Sequence, residues 1–290
     1  MSFFANMSLQ IASLNSGSNG NCYYIGNHSE AVLVDAGISC RETERRMARS
    51  GLNILRVKAI FISHEHSDHI RGVETLSKKY RLPVYITPAT LKHGRLRLNK
   101  DLVKTFTPYD EITIGSLRIM AFPKQHDAAE PHSFVVKGEN NVTTGVFTDI
   151  GTGCDHVVTN FRACNAAFLE CNYDDHMLET GRYPYHLKKR IRSDSGHLSN
   201  EQALKLFIEH RSENLSHLLL SHLSKDNNSP ELVMDLFASH AGKTRVVVAS
   251  RFNESEVFTI NGKMDGHPVS AGAAAQMSLF HEESTRPVAL

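Results

Sequence analysis

The sequence predicts an α/β protein built as an αββα sandwich, two mixed β-sheets flanked by helices. Short β-branched apolar runs come first, helices and strands mix after them, and the pattern occurs twice over. The residues able to do chemistry cluster where these apolar runs end, the edge at which α/β folds carry their sites.

Taken in order, the first half offers strands at Leu9–Leu14, Cys22–Ile25, Ala31–Asp35, Ala59–Ile62, Val84–Thr87 and Val103–Phe106. Helices are expected between them at Arg41–Arg49, Ile70–Lys79 and Ala89–Asn99. The second half offers strands at Glu111–Ile114, Leu117–Ala121, Ser133–Lys137, Val142–Thr148, Ala166–Glu170, His217–Leu220 and Arg245–Ala249. Its helices are expected at Asp155–Phe161, Tyr185–Ile191, Asn200–His210 and Pro230–Ala238. Asn200 is a suitable N-cap with Glu201 in the first turn, and Ser229-Pro230-Glu231 opens a helix well. No internal repeat or coiled-coil heptad is visible.

With 290 residues, of which 41% are apolar, the chain can form one large domain with a full core. We read residues 1–260 as that domain, with a small helical insertion near 174–192, and 261–290 as a mobile tail. No apolar run is long enough to span a membrane, and Met1 to Gln10 lacks the features of a secretory signal. The five cysteines are odd in number and lack CxxC spacing, which fits reduced thiols in the cytoplasm. A net charge of +1 means that any nucleic-acid affinity must be local. Lys188, Lys189, Arg190 and Arg192, with Arg182, form the best basic cluster. Arg41, Arg45 and Arg49 share a helical face, but Glu42 and Glu44 make that face a solvated one.

The densest signal is His64-Glu65-His66-Ser67-Asp68-His69, directly after Ala59-Ile60-Phe61-Ile62-Ser63. Imidazole and carboxylate ligands suit zinc, manganese or iron better than calcium or magnesium. On an extended segment His64 and His66 project to one side and can share an ion. Asp68 and His69 follow where the chain turns into a helix, and can reach a second ion.

This run resembles motif II (HxHxDH) of the metallo-β-lactamase fold superfamily. The other motifs match in order: Asp35 after Ala31-Val32-Leu33-Val34, His126 after Phe122-Pro123-Lys124-Gln125, Asp149 after Val146-Phe147-Thr148, and His222 after Leu218-Leu219-Leu220-Ser221. The resemblance spans about residues 9 to 250. It implies two divalent ions, Zn²⁺ or Mn²⁺ with Fe possible. One ion takes His64, His66 and His126, the other takes Asp68, His69 and His222, and Asp149 bridges them. Asp35 orients motif II by hydrogen bonds. His132 rivals His126, which is preferred because His-Asp-x-x-Glu-Pro after a strand is the family's form. Ions about 3.5–4 Å apart can hold a bridging hydroxide that is nucleophilic at neutral pH.

Two elements resemble the tRNase Z-like phosphodiesterases. Gly196-His197-Leu198-Ser199 stands one helix before His222, and Glu170 closes Phe168-Leu169. The likeness implies that Glu170 orients His197, the general acid for the leaving oxygen. A narrower set looks like the YycJ/WalJ branch: Leu14 to Cys22, His126 to Pro131, Asn172-Tyr173-Asp174, Gly181 to Pro184, Gly196 to Asn200 and His222 to Asn228. That branch implies a 5′→3′ exonuclease acting on linear duplex DNA ends in DNA repair. His132-Ser133-Phe134 departs from its pattern and bears on pocket shape. The 48 residues from Asp149 to His197 are too few for the inserted domain of the β-CASP nucleases.

Within the tail, Gln276-Met277-Ser278-Leu279-Phe280 resembles the Q-x-S/D-L-F motif by which bacterial repair proteins bind the sliding clamp. Leu279 and Phe280 would fill an apolar pocket, with Gln276 hydrogen-bonding at its edge. Competing readings are a small-molecule hydrolase of the same fold, acting on a thioester or cyclic phosphodiester, an RNA-processing nuclease, since nothing here reads a 2′-hydroxyl, and a non-catalytic clamp-bound adaptor, disfavoured by the complete ligand set.

Overall fold

The computed structural model describes residues 8–262, so the pentapeptide Gln276–Phe280 lies outside the described residues. The first sheet holds β1 (Leu9–Asn15), β2 (Cys22–Gly26), β3 (Ala31–Val34), β4 (Val57–Phe61), β5 (Val84–Tyr85) and β6 (Val103–Lys104). The second holds β7 (Glu111–Ile114), β8 (Leu117–Pro123), β9 (His132–Lys137), β10 (Thr143–Phe147), β11 (Ala166–Glu170), β12 (His217–Ser221) and β13 (Arg245–Val248). The chain then returns to the first sheet with β14 (Phe258–Ile260), antiparallel to β1. Strand order is β14-β1-β2-β3-β4-β5-β6 in one sheet and β13-β12-β11-β10-β9-β8-β7 in the other, the expected αββα sandwich.

Helices α1 (Cys40–Arg49), α2 (Ser67–Ile70), α3 (Val73–Tyr80) and α4 (Pro88–His93) follow strands of the first sheet. Helices α5 (Asp155–Phe161), α6 (Asp175–Thr180), α7 (Tyr185–Ile191), α8 (Asn200–His210) and α9 (Pro230–Ala238) follow strands of the second. Between the sheets pack Ile11, Tyr23, Val34, Phe61, Phe134, Val146, Phe168 and Leu219. Outside the first sheet, Leu33 and Ile60 meet Met47, Val73 and Leu76. Outside the second, Leu169 and Leu220 meet Val157, Phe161, Phe207 and Phe237. Central strands are therefore buried on both faces, which is why they read as unbroken apolar runs. The edge strand β7 has alternating exposed and half-buried residues instead.

The parallel pairings set the site. Val34 is level with Phe61, Phe147 with Leu169, and Glu170 with Ser221. Strands β3, β4, β10, β11 and β12 therefore deliver their last residues to one edge of the sandwich.

Several expected boundaries shift. The helix expected over Ile70–Lys79 is broken into α2 and α3 at Arg71-Gly72. Gly72 donates to the Ala36 carbonyl at 2.8 Å, and a Cβ there would lie 1.9 Å from the Ile38 carbonyl oxygen. The helix expected to reach Asn99 stops at His93, and Arg95 takes a left-handed φ of 51°. Strands β5 and β6 keep only two residues each. The insertion near 174–192 carries two short helices, α6 and α7, of which only α7 has a sequence-predicted span. Strand β14 was hidden by its brevity: three residues give no readable alternation.

Candidate metal centre and active site

Most chemistry-bearing side chains stand at or just past a strand end, while His197 lies in the loop between α7 and α8. Asp35 follows β3, His64 to His69 follow β4, His126 follows β8, Asp149 follows β10, Glu170 closes β11, and His222 follows β12. Asp35, Asp149 and His222 take left-handed φ values of 61°, 53° and 59°. Non-glycine residues pay for that conformation, and such strain collects at functional sites. Here the sharp turn off the strand aims each side chain back over the sheet edge.

Three imidazole nitrogens converge first. His66 Nδ1 lies 3.1 Å from His64 Nε2 and 3.3 Å from His126 Nε2. A second group follows: His69 Nε2 and His222 Nε2 lie 3.6 and 3.5 Å from Asp68 Oδ2. Asp149 stands between the two groups. Its Oδ1 is 3.4 Å from His222 Nε2 and 3.9 Å from His126 Nε2, and its Oδ2 is 3.2 Å from His69 Nε2. The sets His64-His66-His126 and Asp68-His69-His222 each have donors close enough to share one ion. His132 is absent from these groups: it is buried, its Nδ1 sits 2.9 Å from the Glu130 carbonyl, and its ring packs on Phe106.

The outward ring atoms are held from behind. His69 Nδ1 lies 2.7 Å from Asp35 Oδ2, and the same carboxylate accepts from the Ser63 N–H and hydroxyl, both at 2.8 Å. His126 Nδ1 is 3.0 Å from the Gly196 carbonyl. Glu170 Oε1 lies 2.7 Å from His197 Nδ1 and 3.1 Å from His222 Nδ1, while Oε2 accepts from the Ile150 N–H at 2.7 Å. With one ring nitrogen engaged this way, the other turns a lone pair toward the shared centre. Buried Asp149 Oδ2 and His222 Nε2 have no hydrogen-bond partner among the described residues. Orphaned buried polar atoms are costly, and these two belong to the nitrogen–oxygen donor set that zinc, manganese or iron prefers. The residues present therefore fit divalent metal.

Electrostatics divide the histidines. Burial pushes His126 down to about 3, and burial with the neighbouring His69 and Lys124 charges pushes His64 down too. Burial also opposes charge on His69, but Asp149, Asp35 and Asp68 outweigh it and carry the ring up to about 10. His222 is raised in the same way, against burial, by Asp149, Asp68 and Glu170. Glu170 is fully buried, yet His197 and His222 carry it down to about 2. Asp68, Asp149 and Glu170, all held below the usual carboxylate range, are thus anionic and call for cations at this centre.

Sequence reasoning missed the supporting polar shell. Asn21 Nδ2 reaches Asp68 Oδ2 at 3.2 Å and lies 3.1 Å from His69 Nε2. Asn172 Nδ2 donates to the His222 carbonyl at 2.8 Å. Lys124 is buried, and its Nζ donates to the Thr148 carbonyl at 2.7 Å, just before Asp149. Gly37 lets the backbone in closely, since a Cβ there would lie 1.6 Å from the Asp68 carbonyl oxygen. Both asparagines stand in the motifs that carried the family resemblance, but nothing in local spacing assigns them a contact.

The basic cluster does not form one patch. Arg190 pairs with Asp127 and lines the metal cavity, a space of about 310 Å³ shared with His66, Asp68, Asp149, His197 and His222. Arg192 turns to Glu179 at 2.5 Å and Asp175 at 3.7 Å, and Lys188 donates to the Glu179 carbonyl. Arg182 and Lys189 are exposed. Arg45 and Arg49 pair with Glu42 and Glu254. The five cysteines are free thiols. Among the described residues no helix is long and apolar enough to cross a membrane.

The β-lactamase superfamily domain matches residues 30–222. Exodeoxyribonuclease YycJ of Bacillus anthracis is 37% identical over 258 residues, covering 88% of this chain and 95% of that protein. Exodeoxyribonuclease WalJ of Streptococcus pneumoniae (strain R6) is 34% identical over 227 residues, covering 76% and 83%. The metallo-β-lactamase fold protein YhfI of Bacillus subtilis superposes with a TM-score of 0.66 at 16% identity, covering 87% of this chain and 99% of that one, a likeness of fold. The chain belongs to the β-lactamase superfamily, as a metal-dependent hydrolase of the metallo-β-lactamase fold, and within it to the family of the YycJ and WalJ exodeoxyribonucleases.

Proposed function

We propose that this hydrolase is a dinuclear-metal phosphodiesterase, a 5′→3′ exonuclease of double-stranded DNA that works in bacterial DNA repair in the cytoplasm. The observation that carries the reading is Glu170, which holds His197 by its Nδ1 at 2.7 Å and His222 by its Nδ1 at 3.1 Å. One buried carboxylate thereby ties a partly exposed imidazole to the metal-ligand set. The names of the 37% and 34% identical relatives support DNA as substrate.

In this reading His64, His66 and His126 hold one ion, Asp68, His69 and His222 hold the other, and Asp149 serves both. Zn²⁺ or Mn²⁺ there would supply Lewis acidity and lower the pKa of a water molecule toward neutrality. His197 Nδ1 is engaged by Glu170, so its Nε2 is left to give a proton to the leaving oxygen. Arg190 at the cavity rim is the expected basic residue best placed to meet a phosphate. Arg182, Lys188, Lys189 and Arg192 would add only to diffuse attraction of the duplex. Gln276 to Phe280 would bind the sliding clamp and bring the enzyme to replicating DNA.

His197→Ala tests the role assigned to that ring. Two ions per chain should remain while turnover falls about a hundredfold or more. Loss of an ion instead would make His197 a ligand, since Asp149, Glu170, His197 and His222 also form a possible ligand group.

A further inference from the structure

A second basic segment keeps its charge after folding. Residues 92–104 run from the end of α4 into β6 and carry five cations, Lys92, Arg95, Arg97, Lys100 and Lys104, against one acid, Asp101. All five are exposed, and none makes an ion pair among the described residues. Other exposed arginines are neutralised, Arg45 by Glu42, Arg190 by Asp127 and Arg245 by Glu256. Two neighbouring acids turn to backbone instead. Glu74 Oε1 accepts the Arg97 N–H at 2.6 Å, and Glu65 Oε1 accepts the Ala129 N–H at 2.8 Å.

The segment is pinned from beneath. Burial alternates along it: Arg95, Arg97 and Asn99 are exposed, while Leu96 and Leu98 are half-buried against the outer core of the first sheet. Arg95 and Arg97 are thus presented two residues apart, roughly 7 Å on an extended chain, or about two steps of one DNA strand along the duplex axis. The segment also begins against the metal ligands. A Cβ on Gly94 would lie 3.4 Å from the Glu65 Cβ, and Glu65 stands between His64 and His66. From there the cations lead along the side of the first sheet whose edge strand is β6. Like charges fixed on one face repel, and bound phosphates relieve that repulsion. Such contacts hold a duplex in place without reading its sequence.

We propose that Lys92, Arg95, Arg97, Lys100 and Lys104 form a track for the phosphate backbone of intact duplex, which leaves the metal edge across the β6 side of the first sheet. The proposal rests on the exonuclease reading and supplies the surface that holds the DNA not yet degraded.

The test is binding of the full-length, Mn²⁺-loaded protein to a dumbbell duplex of about 30 base pairs, closed by a loop at each end and read by fluorescence anisotropy over a range of salt. With no free end, the probe is not degraded from its termini. One variant combines Arg95→Gln, Arg97→Gln and Lys100→Gln. The control combines Lys58→Gln and Lys243→Gln, which remove charge where β4 and β13 begin, at the opposite edge from the metal ligands. The triple variant should bind about tenfold more weakly or worse, and its slope of log K against log salt should shrink by about 2 to 3, close to one phosphate contact per cation. The control should keep the wild-type slope. If the triple variant does not fold, Arg97→Gln alone should shrink the slope by about 1. An unchanged slope in the track variants, or an equal loss in the control, would overturn the proposal and leave an acidic protein as the partner these cations fit. A wild type that does not bind the dumbbell would also overturn it, even if linear ends are degraded. A wild type that binds the dumbbell through these cations yet leaves linear duplex intact would uphold the track and reject the exonuclease reading.

Discussion

Glu170 Oε1 and His197 Nδ1 lie 2.7 Å apart, and that carboxylate is buried while the imidazole is partly open to the metal cavity. A charge-assisted contact of this kind fixes the tautomer and the ring plane together. Glu170→Gln keeps the shape but offers a neutral amide. We expect kcat on duplex DNA to fall about tenfold to a hundredfold, with KM nearly unchanged. Steady-state kinetics on a labelled duplex check this, and an equal rise in KM would point to a role in DNA binding.

Asp35 acts at one remove, since it touches His69 Nδ1 and the Ser63 N–H and hydroxyl. Asp35→Asn should weaken metal affinity about tenfold to a hundredfold. Titration of metal-free protein with Mn²⁺ measures it, and unchanged affinity would detach Asp35 from the metal centre.

Chelation should also destabilise the fold. Asp68, Asp149 and Glu170 converge here with the imidazoles, and Asp149 Oδ2 and His222 Nε2 lack partners. Saturating metal binds only the folded chain, which contributes about 3 kcal/mol at a hundred times the Kd. The thermal midpoint should therefore drop by about 5–10 °C on treatment with EDTA and return on adding Mn²⁺. A midpoint indifferent to EDTA would contradict metal binding at this cluster.

The sheet interface gives a prediction independent of the site. Phe134 is fully buried, with ring centroids 5.6 Å from Phe61 and 5.7 Å from Phe106. Phe134→Ala should cost about 3–5 kcal/mol, read from urea unfolding of the metal-loaded protein.

The tail makes a separable claim. Leu279→Ala with Phe280→Ala should abolish binding to the sliding clamp and leave degradation of free DNA ends unchanged. Surface plasmon resonance on immobilised clamp checks it, and undiminished affinity would remove the pentapeptide's assigned role.

Much of this site was legible because strand ends are legible. Apolar runs closing on Asp35, Asp149, Glu170 and His222 state both the element and the polar residue at its end, and parallel register brings those ends together. The dense run from His64 to His69 needed no tertiary information. What escaped were contacts between residues far apart in the chain. Asn21 meets Asp68 across 47 residues and Asn172 meets His222 across 50, and no local period encodes either. The charged cluster spreads out for a related reason. Sequence proximity groups Lys188, Arg190 and Arg192, while folding hands Arg190 to Asp127 and Arg192 to Glu179. The break at Gly72 was hidden because its cause, the Ala36 and Ile38 carbonyls, lies in a different segment.

Exonuclease activity is read by following a linear duplex labelled at its 5′ ends with metal-reconstituted protein, Mn²⁺ and Zn²⁺ in parallel, beside Asp149→Ala. The wild type should remove the 5′ label progressively and the variant should not. Intact duplex ends after incubation with protein that carries both ions would contradict it, and would leave a small-molecule hydrolase of the same fold as the better reading.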